Sequence, residues 1–214
     1  MPRIAIPLLL FLKLGLMGER TGITFIDSTR IPVCENKRQS RNRVFKGYAQ
    51  KGKSTMGWYY GFKLHLLCNE RGELLNFALT RANVDDRNPK VFNDLTKDLF
   101  GKLYADKGYI SQSLFASLFD RGVHIVTGIR TNMKNRLMDV HDKIMLRKRS
   151  IIETINDMLK NVAQIVHTRH RSISNFIVNL LAGIAAYAFY DTKPSINMEF
   201  EMDAKQGIKQ LTLF

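Results

Sequence analysis

The sequence has few cysteines, few acidic residues and no apolar run long enough to cross a membrane. Its two cysteines, Cys34 and Cys68, form no CxxC pattern. They give no indication of a zinc site and fit a reducing, cytoplasmic compartment. Residues 4–16 are strongly apolar, but a helix that spans a bilayer needs about 20 residues. No small-residue cleavage site follows this run, so we expect a packed N-terminal helix and no membrane partner.

The shortage of acids leaves a strongly basic chain. The 214 residues include 33 lysines and arginines against 19 aspartates and glutamates, which gives a formal net charge of +14. An excess of this size says little about the fold, but it favours a polyanionic partner, nucleic acid first and an anionic membrane surface second. With 45% hydrophobic residues, the chain can build one substantial core, and we expect one main domain.

Part of this positive charge is concentrated in residues 30–57, which contain eight basic residues and one acid, Glu35. Phe45 and Tyr48 lie among the bases, and glycines loosen the backbone. Cations along a flexible path with interleaved aromatics suit contact with a nucleic-acid backbone. The alternative is a solvated, partly disordered loop. The predicted DNA-binding residues of this segment are Lys37, Arg38, Arg41, Arg43, Lys46, Lys51 and Lys53. A second basic connection is predicted over residues 129–148.

Two aspartates lie at the ends of predicted strands. Residues 21–27 are rich in β-branched and aromatic side chains and end on Asp27, after which Ser28 and Pro32 break the strand. Within residues 101–109, a second strand ends on Asp106. A strand holds such an acid in place while the following loop opens it to solvent. Taken singly, a turn or capping aspartate is the commoner role.

A third acid lies on a predicted helix over residues 145–160. Ile151, Ile155, Leu159, Val162 and Val166 make an apolar stripe at helical spacing. A polar stripe beside it consists of Arg149, Glu153, Asn156, Lys160 and Gln164. A carboxylate framed by Arg149 and Lys160 suits a site where a metal and a polyanion meet. The simpler interpretation is an exposed Arg–Glu pair that adds a few tenths of a kcal/mol.

The remaining pattern predicts how these pieces are connected. Residues 58–68 and 73–80 form a hairpin around a turn at 69–72, with His65 on the strand surface. A helix capped by Asp86 or Asn88 runs to about residue 100. A helix over 111–121, a strand over 123–127 and a buried helix over 173–190 follow, and 193–214 form a tail. Asp85 and Asp86 are rival catalytic acids, although capping explains at least one of them.

Two strand-end aspartates and one helical glutamate can converge at one edge of a mixed sheet. Like charges at that range raise one another's pKa unless a cation neutralises them. Oxygen ligands of this kind suit Mg²⁺ or Mn²⁺. Two such ions can activate a water or a 3′-hydroxyl and stabilise the leaving oxygen in phosphodiester transfer. The basic segments would then hold the phosphate backbone on either side, with Arg149 and Lys160 orienting Glu153 or contacting a phosphate.

Five sequence pieces together resemble the catalytic domain of a bacterial DDE transposase from an insertion sequence. They are residues 25–29 (FIDST), 57–65 (GWYYGFKLH), 83–87 (NVDDR), 104–109 (YADKGY) and the set Arg149, Glu153 and Lys160. The match covers about residues 22–190, and the order of the pieces makes it specific. One departure is Leu146, which stands where the family often has a tyrosine.

The resemblance implies an α/β, ribonuclease H-like mixed sheet flanked by helices. It also implies Mg²⁺-dependent strand cleavage and strand transfer, with Asp27, Asp106 and Glu153 as catalytic residues and metal ligands. Lys107, next to Asp106, joins the predicted DNA contacts. Double-stranded DNA is the expected partner, and a homodimer on paired ends is the expected assembly.

Family members carry a helical DNA-binding region before the first catalytic strand. We therefore expect a truncated copy with an N-terminal remnant at 1–20, a catalytic domain at 21–192 and a tail at 193–214. Two alternatives stay open at this point. One is a nuclease of the same fold that never joins strands. The other is an inactive DNA-binding remnant.

Overall fold

The fold is built on a six-stranded mixed sheet. The computed structural model describes residues 2–129, 137–166 and 169–196. The strands are β1 (Ile23–Cys34), β2 (Gln50–Ser54), β3 (Gly57–Cys68), β4 (Leu74–Arg81), β5 (Gly101–Ala105) and β6 (Val123–Thr127). They lie in the order β2-β3-β1-β5-β6, and β4 also pairs with β3. The two short strands β2 and β4 therefore pair with successive parts of the long strand β3.

Helices lie before, between and after these strands. They are α1 (Ala5–Phe11), α2 (Pro89–Thr96), α3 (Gln112–Phe119), α4 (Val140–Lys148), α5 (Ser150–Asp157) and α6 (Ile173–Ala188). Short 3₁₀ turns cover Pro2–Ile4, Asn36–Arg41 and Lys107–Tyr109, and π-helical turns cover Leu12–Leu16 and Met158–Val162. Within the described ranges, every helix falls short of the length and apolarity that a membrane crossing requires.

Strand direction divides the sheet into two parts. β1 is antiparallel to β3, which is antiparallel to β2 and β4. On its other side β1 is parallel to β5, and β5 is parallel to β6. Parallel neighbours need a crossover connection, and α2 and α3 lie in the two crossovers. The result is the predicted mixed sheet flanked by helices.

Each face of the sheet is covered by its own hydrophobic core. On the first face, Phe25 and Leu66 pack with residues of α5 and α6, among them Ile155. On the second face, Ile26 and Leu67 belong to a core with Phe92 and Leu118 of α2 and α3. Consecutive residues of a strand point to opposite faces, which is why Phe25 and Ile26 are both fully buried. Asp27, the next residue, points to the first face, where α5 lies.

The first strand is longer than predicted. β1 continues seven residues past Asp27, because antiparallel pairing with β3 extends from Phe25 to Cys34. Ser28 and Thr29 stay in the ladder, and Pro32 is accommodated just before a register shift between β1 and β3. The prediction that the strand ends on Asp27 is therefore wrong. The pairing of β1 with β5 does end close to Asp27, because its last matched pair is Phe25 with Tyr104.

The segment 30–57 is more ordered than a flexible connection. It contains the end of β1, the 3₁₀ turn at Asn36–Arg41 and all of β2. Phe45 is only 1% exposed and packs edge-on against Phe62 and Phe176. Phe45 is thus a core residue and has no surface to offer a nucleic acid. Tyr48, in contrast, is 58% exposed.

The predicted helix over residues 145–160 is interrupted at Arg149. α4 ends at Lys148 and α5 begins at Ser150, and a π-helical turn follows α5. Ile151, Ile155 and Leu159 are buried as predicted, but Val162 is 63% exposed. A π-helical turn contains one residue more than an α-helical turn, so it rotates the following side chains away from the original stripe.

Several other predictions about local structure are confirmed. The hairpin of β3 and β4 turns at 69–72, where the Gly72 amide donates to the Asn69 carbonyl at 3.1 Å. Asn88 caps α2 by accepting the Val91 amide, but α2 ends at Thr96 and not near residue 100. Ser172, which directly precedes the predicted helix over 173–190, caps α6. Part of the basic connection 129–148 and most of the predicted tail lie outside the described residues.

Gly61 of β3 tests how tightly β1 and β3 are packed. A Cβ at this position would collide with the carbonyl oxygen of Ile31, whereas a Cβ at Gly108 would meet no atom within 4 Å. We expect Gly61→Ala to lower the free energy of unfolding by about 1–3 kcal/mol through overpacking, and Gly108→Ala to change it little. Urea denaturation of both variants measures the difference. Equal effects of the two substitutions would contradict this register of β1 on β3.

Candidate active site

The register of β1 and β5 brings the two predicted aspartates together. Phe25 is paired with Tyr104 in the parallel ladder. Asp27 lies two residues beyond Phe25, and Asp106 lies two residues beyond Tyr104. Neighbouring strands in a sheet are about 4.8 Å apart, so the two aspartates occupy adjacent positions. Asp106 is exposed, and its carboxylate accepts the Lys107 amide at 2.7 Å.

Arg149 connects Asp27 with the third predicted acid. Its guanidinium donates to Glu153 Oε1 at 2.8 Å and lies 3.9 Å from Asp27 Oδ1. The Arg149 side chain is 19% exposed, and that of Glu153 is 57% exposed. Arg149 occupies the junction between α4 and α5, and this position lets it reach from the helical glutamate to the strand aspartate. The guanidinium thus supplies the positive charge between the two carboxylates.

Asn156 is a further polar residue at the same place, and sequence reasoning did not assign it to the site. Its side-chain amide donates to Asp27 Oδ2 at 2.9 Å. Asn156 is only 6% exposed, and its Oδ1 has no hydrogen-bond partner. The available signal was its position in the polar stripe, three residues after Glu153. Because a buried asparagine with one free acceptor is costly, this residue fits a site that is completed by a further donor or a cation.

The surroundings of Asp27 raise its pKa to about 6. Removal from water is the largest cause, and the charges of Glu153 and Asp106 raise the pKa further. Arg149 and the Ser28 amide oppose this shift by stabilising the carboxylate. Both other acids are therefore close enough to act electrostatically on Asp27. The site carries more negative charge than Arg149 alone compensates.

The donor set suits a hard divalent cation. Asp27, Asp106 and Glu153 offer carboxylate oxygens, which are the ligands that Mg²⁺ and Mn²⁺ prefer. The three side chains are not gathered around a common point, however. In the described part of the chain, no group of three or more histidine, cysteine, aspartate or glutamate side chains is arranged to hold a metal ion.

The predicted DNA-binding residues divide into an exposed set and a half-buried set. The exposed ones follow the segment after β1, through β2, with Lys107 beside Asp106: Lys37, Arg38, Arg41, Arg43, Lys46, Lys51, Lys53 and Lys107. Arg149 and Lys160 are only partly accessible. Burial and the charge of Arg30 lower the pKa of Lys160, while Asp27 and Asp157 oppose that shift. Lys160 therefore lies near Asp27, as its place in the polar stripe predicts.

A polar cluster lies on the opposite face of the sheet from Asp27. His65 is 1% exposed and its Nε2 lies 2.9 Å from Thr80 Oγ1, so the prediction of a surface histidine is wrong. Burial lowers the pKa of His65 to about 4. Lys63 forms an ion pair with Asp86 at 2.8 Å. Asp86 is thus paired with Lys63 on the face opposite Asp27, and Asp85 binds the Arg87 guanidinium. Neither rival acid therefore joins the site.

The sequence matches a known family over most of its length. A sequence model described as "Transposase DDE domain" matches residues 17–173. None of the curated proteins matches the chain.

A solved structure shares the fold at low sequence identity. The cryo-EM structure of the piggyBac transposase synaptic complex with hairpin DNA has a TM-score of 0.52 at 10% identity and covers 80% of this chain. This likeness confirms the predicted ribonuclease H-like fold class. The chain spans about half of that relative, 47% of its length. A simian T-cell lymphotropic virus intasome bound to a PP2A regulatory subunit, B56 gamma, matches at 12% identity over 78% of this chain and 48% of that one, with a TM-score of 0.36.

The raised pKa of Asp27 predicts a pH-dependent stability difference. The folded state holds the Asp27 proton up to about pH 6, and the unfolded state loses it near pH 4. Stability is therefore lost as the pH rises from about 4 to about 6, by roughly 3 kcal/mol. Asp27→Asn removes the buried charge, so this variant should be more stable than the wild type by about 2–3 kcal/mol at pH 7.5 and equally stable at pH 3.5.

Chemical denaturation at the two pH values measures this difference. Asp98→Asn is the control, because the Asp98 side chain is 64% exposed and should shift stability little at either pH. A gain in Asp27→Asn that is the same at pH 3.5 and pH 7.5 would contradict a buried, proton-binding carboxylate.

Proposed function

Because the chain belongs to the family of transposase DDE domains, we propose that it takes part in DNA transposition. In this proposal it cleaves a phosphodiester bond at the end of a mobile element and joins the resulting 3′-hydroxyl to target DNA. The observation that supports the proposal is that Asp27 and Asp106 each lie two residues past the last matched pair of β1 and β5, while Arg149 links Asp27 with Glu153.

Asp27, Asp106 and Glu153 would hold Mg²⁺ or Mn²⁺, with two ions expected. When bound, such ions supply a lowered pKa for a water or hydroxyl nucleophile and stabilise the charge on the leaving oxygen. The unbalanced negative charge at Asp27 and the unpartnered Asn156 Oδ1 support this assignment. The two rival acids, Asp85 and Asp86, form ion pairs elsewhere.

Other residues at the site position these carboxylates. Asn156 fixes Oδ2 of Asp27 by its 2.9 Å hydrogen bond, while Oδ1 faces the Arg149 guanidinium at 3.9 Å. Arg149 holds Glu153 toward Asp27. A cation between the two acids competes with this guanidinium, which is then available to a DNA phosphate. Lys160, partly buried beside Asp27, is the second cation placed to contact that phosphate.

The exposed bases from Lys37 to Lys53 would hold double-stranded DNA beside this site. Contacts of this kind recognise the phosphate backbone and carry no sequence information. Binding should therefore be strongly salt-dependent and weakly sequence-specific. A homodimer that holds two ends together completes the proposed assembly.

Substitution of each acid tests the reaction. We expect Mg²⁺- or Mn²⁺-dependent nicking of plasmid DNA, and joining of a pre-cut 3′-hydroxyl end to a target plasmid. Asp27→Ala, Asp106→Ala and Glu153→Ala should each reduce both activities by at least about 100-fold, since each removes a ligand of the ions that carry the chemistry. Asp98→Ala, which removes an exposed carboxylate that pairs with Arg20, should retain wild-type activity.

The products separate the possible outcomes. Nicked DNA without joined products identifies a nuclease of the same fold and contradicts transposition. DNA binding without nicking identifies a binding remnant. Nicking that survives all three alanine substitutions shows that the assignment of the three acids is wrong.

A further inference from the structure

Trp58 is an exposed aromatic residue with two lysines at its ring. It lies near the start of β3 and is 54% exposed. The Lys51 ammonium is 5.0 Å from the centre of the ring, and the Lys53 ammonium is 5.9 Å from it. Packing in the hydrophobic core does not explain this large apolar side chain, because more than half of it is exposed to solvent. Two cations hold it at the surface.

The hairpin of β2 and β3 holds these three side chains in place. Lys53 is directly paired with Trp58, and Lys51 is paired with Tyr60, so both lysines share a sheet face with the ring. Gly52, between them, faces the other way, where a Cβ would collide with the Ala82 carbonyl. The Trp58 carbonyl accepts the Asn36 side-chain amide at 2.7 Å. The ring therefore projects from a backbone that is fixed on both sides.

Trp58 lies on the same face of the sheet as the proposed active site. Asp27 is paired with Leu66, and residues an even number of positions apart in a strand share one face. Trp58 is eight residues from Leu66 along β3, which corresponds to about 26 Å at the usual rise per residue. Between the two positions this face is covered by the first hydrophobic core, so Trp58 is a separate exposed position at the other end of β3 from Leu66.

The chemistry of the group points to an unpaired nucleic-acid base. An indole stacks on the flat face of any base, and neighbouring ammonium groups bind the phosphates on either side of it. The faces of paired bases are covered inside a duplex, so stacking requires a single strand, a frayed end or an extruded base. An acidic protein surface would engage the two lysines but would leave the ring without a planar partner.

We propose that Trp58, with Lys51 and Lys53, forms a stacking site for an unpaired DNA base. The indole packs against the base, and the two ammonium groups turn from the ring to the flanking phosphates. This inference rests on the proposed function, because it takes DNA as the ligand. It adds a separate site, about 26 Å from the acids, at which single-stranded and duplex DNA are distinguished.

The fluorescence of Trp58 tests the proposal directly, because the chain contains only one tryptophan. The wild-type protein is titrated with an oligothymidylate and, separately, with a fully paired duplex whose ends are closed by covalent linkers, both in EDTA. Binding is followed in parallel by the anisotropy of a dye on the DNA. Stacking on a base quenches indole emission, so we expect strong quenching at saturation with the single strand and little with the closed duplex.

Variants assign the effect to the three residues. Trp58→Leu should weaken single-strand binding about tenfold, as expected for the loss of one stacked base, while Trp58→Phe should retain most of the affinity. Lys51→Gln combined with Lys53→Gln should lower the slope of log affinity against log salt by about 1.4, since each single-strand phosphate contact contributes about 0.7. Phe119→Leu is the matched control, since Phe119 is a similarly exposed aromatic at the end of α3, outside the predicted DNA-binding segment, and it should leave the affinity unchanged.

The two readouts separate this proposal from the proposed function. If anisotropy shows DNA binding but Trp58 emission does not change, the stacking site is refuted and DNA binding stands. Equal quenching by the closed duplex also refutes a site for unpaired bases. If anisotropy shows no binding to either DNA, the role of DNA in the proposed function fails as well.

Discussion

β1 pairs with β3 over a longer stretch than it pairs with β5, and the site depends on this difference. Pairing with β3 continues to Cys34, whereas pairing with β5 ends at Phe25 and Tyr104. Beyond that point β1 is held on one side only. Asp27 is therefore anchored in a buried strand while one flank of its backbone faces no neighbouring strand. Asp106 leaves β5 at the same level, so two carboxylates meet where the sheet opens.

Electrostatics explains the arrangement of the residues around these carboxylates. Burial and two acidic neighbours make the ionised form of Asp27 unfavourable, and Arg149 and Asn156 offset only part of that cost. A fold selected for stability alone has little reason to place three acids within range of one another. Such a charge imbalance is typical of sites that bind a cation or a polyanion.

The sequence predicted the elements better than it predicted their boundaries and contacts. The alternation in β3 and β4, the turn at 69–72 and the caps at Asn88 and Ser172 are local signals, and they led to correct assignments. The continuation of β1 past Asp27 depends on β3, a partner more than 30 residues away, which no local pattern reveals. The burial of Phe45 and His65 has the same origin, because it depends on the side chains opposite them. Asn156 was visible as part of a polar stripe, but its hydrogen bond to Asp27 joins residues 129 positions apart.

The length of β3 sets the distance between Trp58 and the proposed active site. Trp58 is eight residues from Leu66, which is paired with Asp27, so about 26 Å of strand separates the two places. The strand between them is held by pairing on both edges and is covered on this face by the first hydrophobic core. β3 therefore acts as a rigid spacer, and adding or removing a pair of residues in it would change the separation by about 7 Å without turning the ring to the other face.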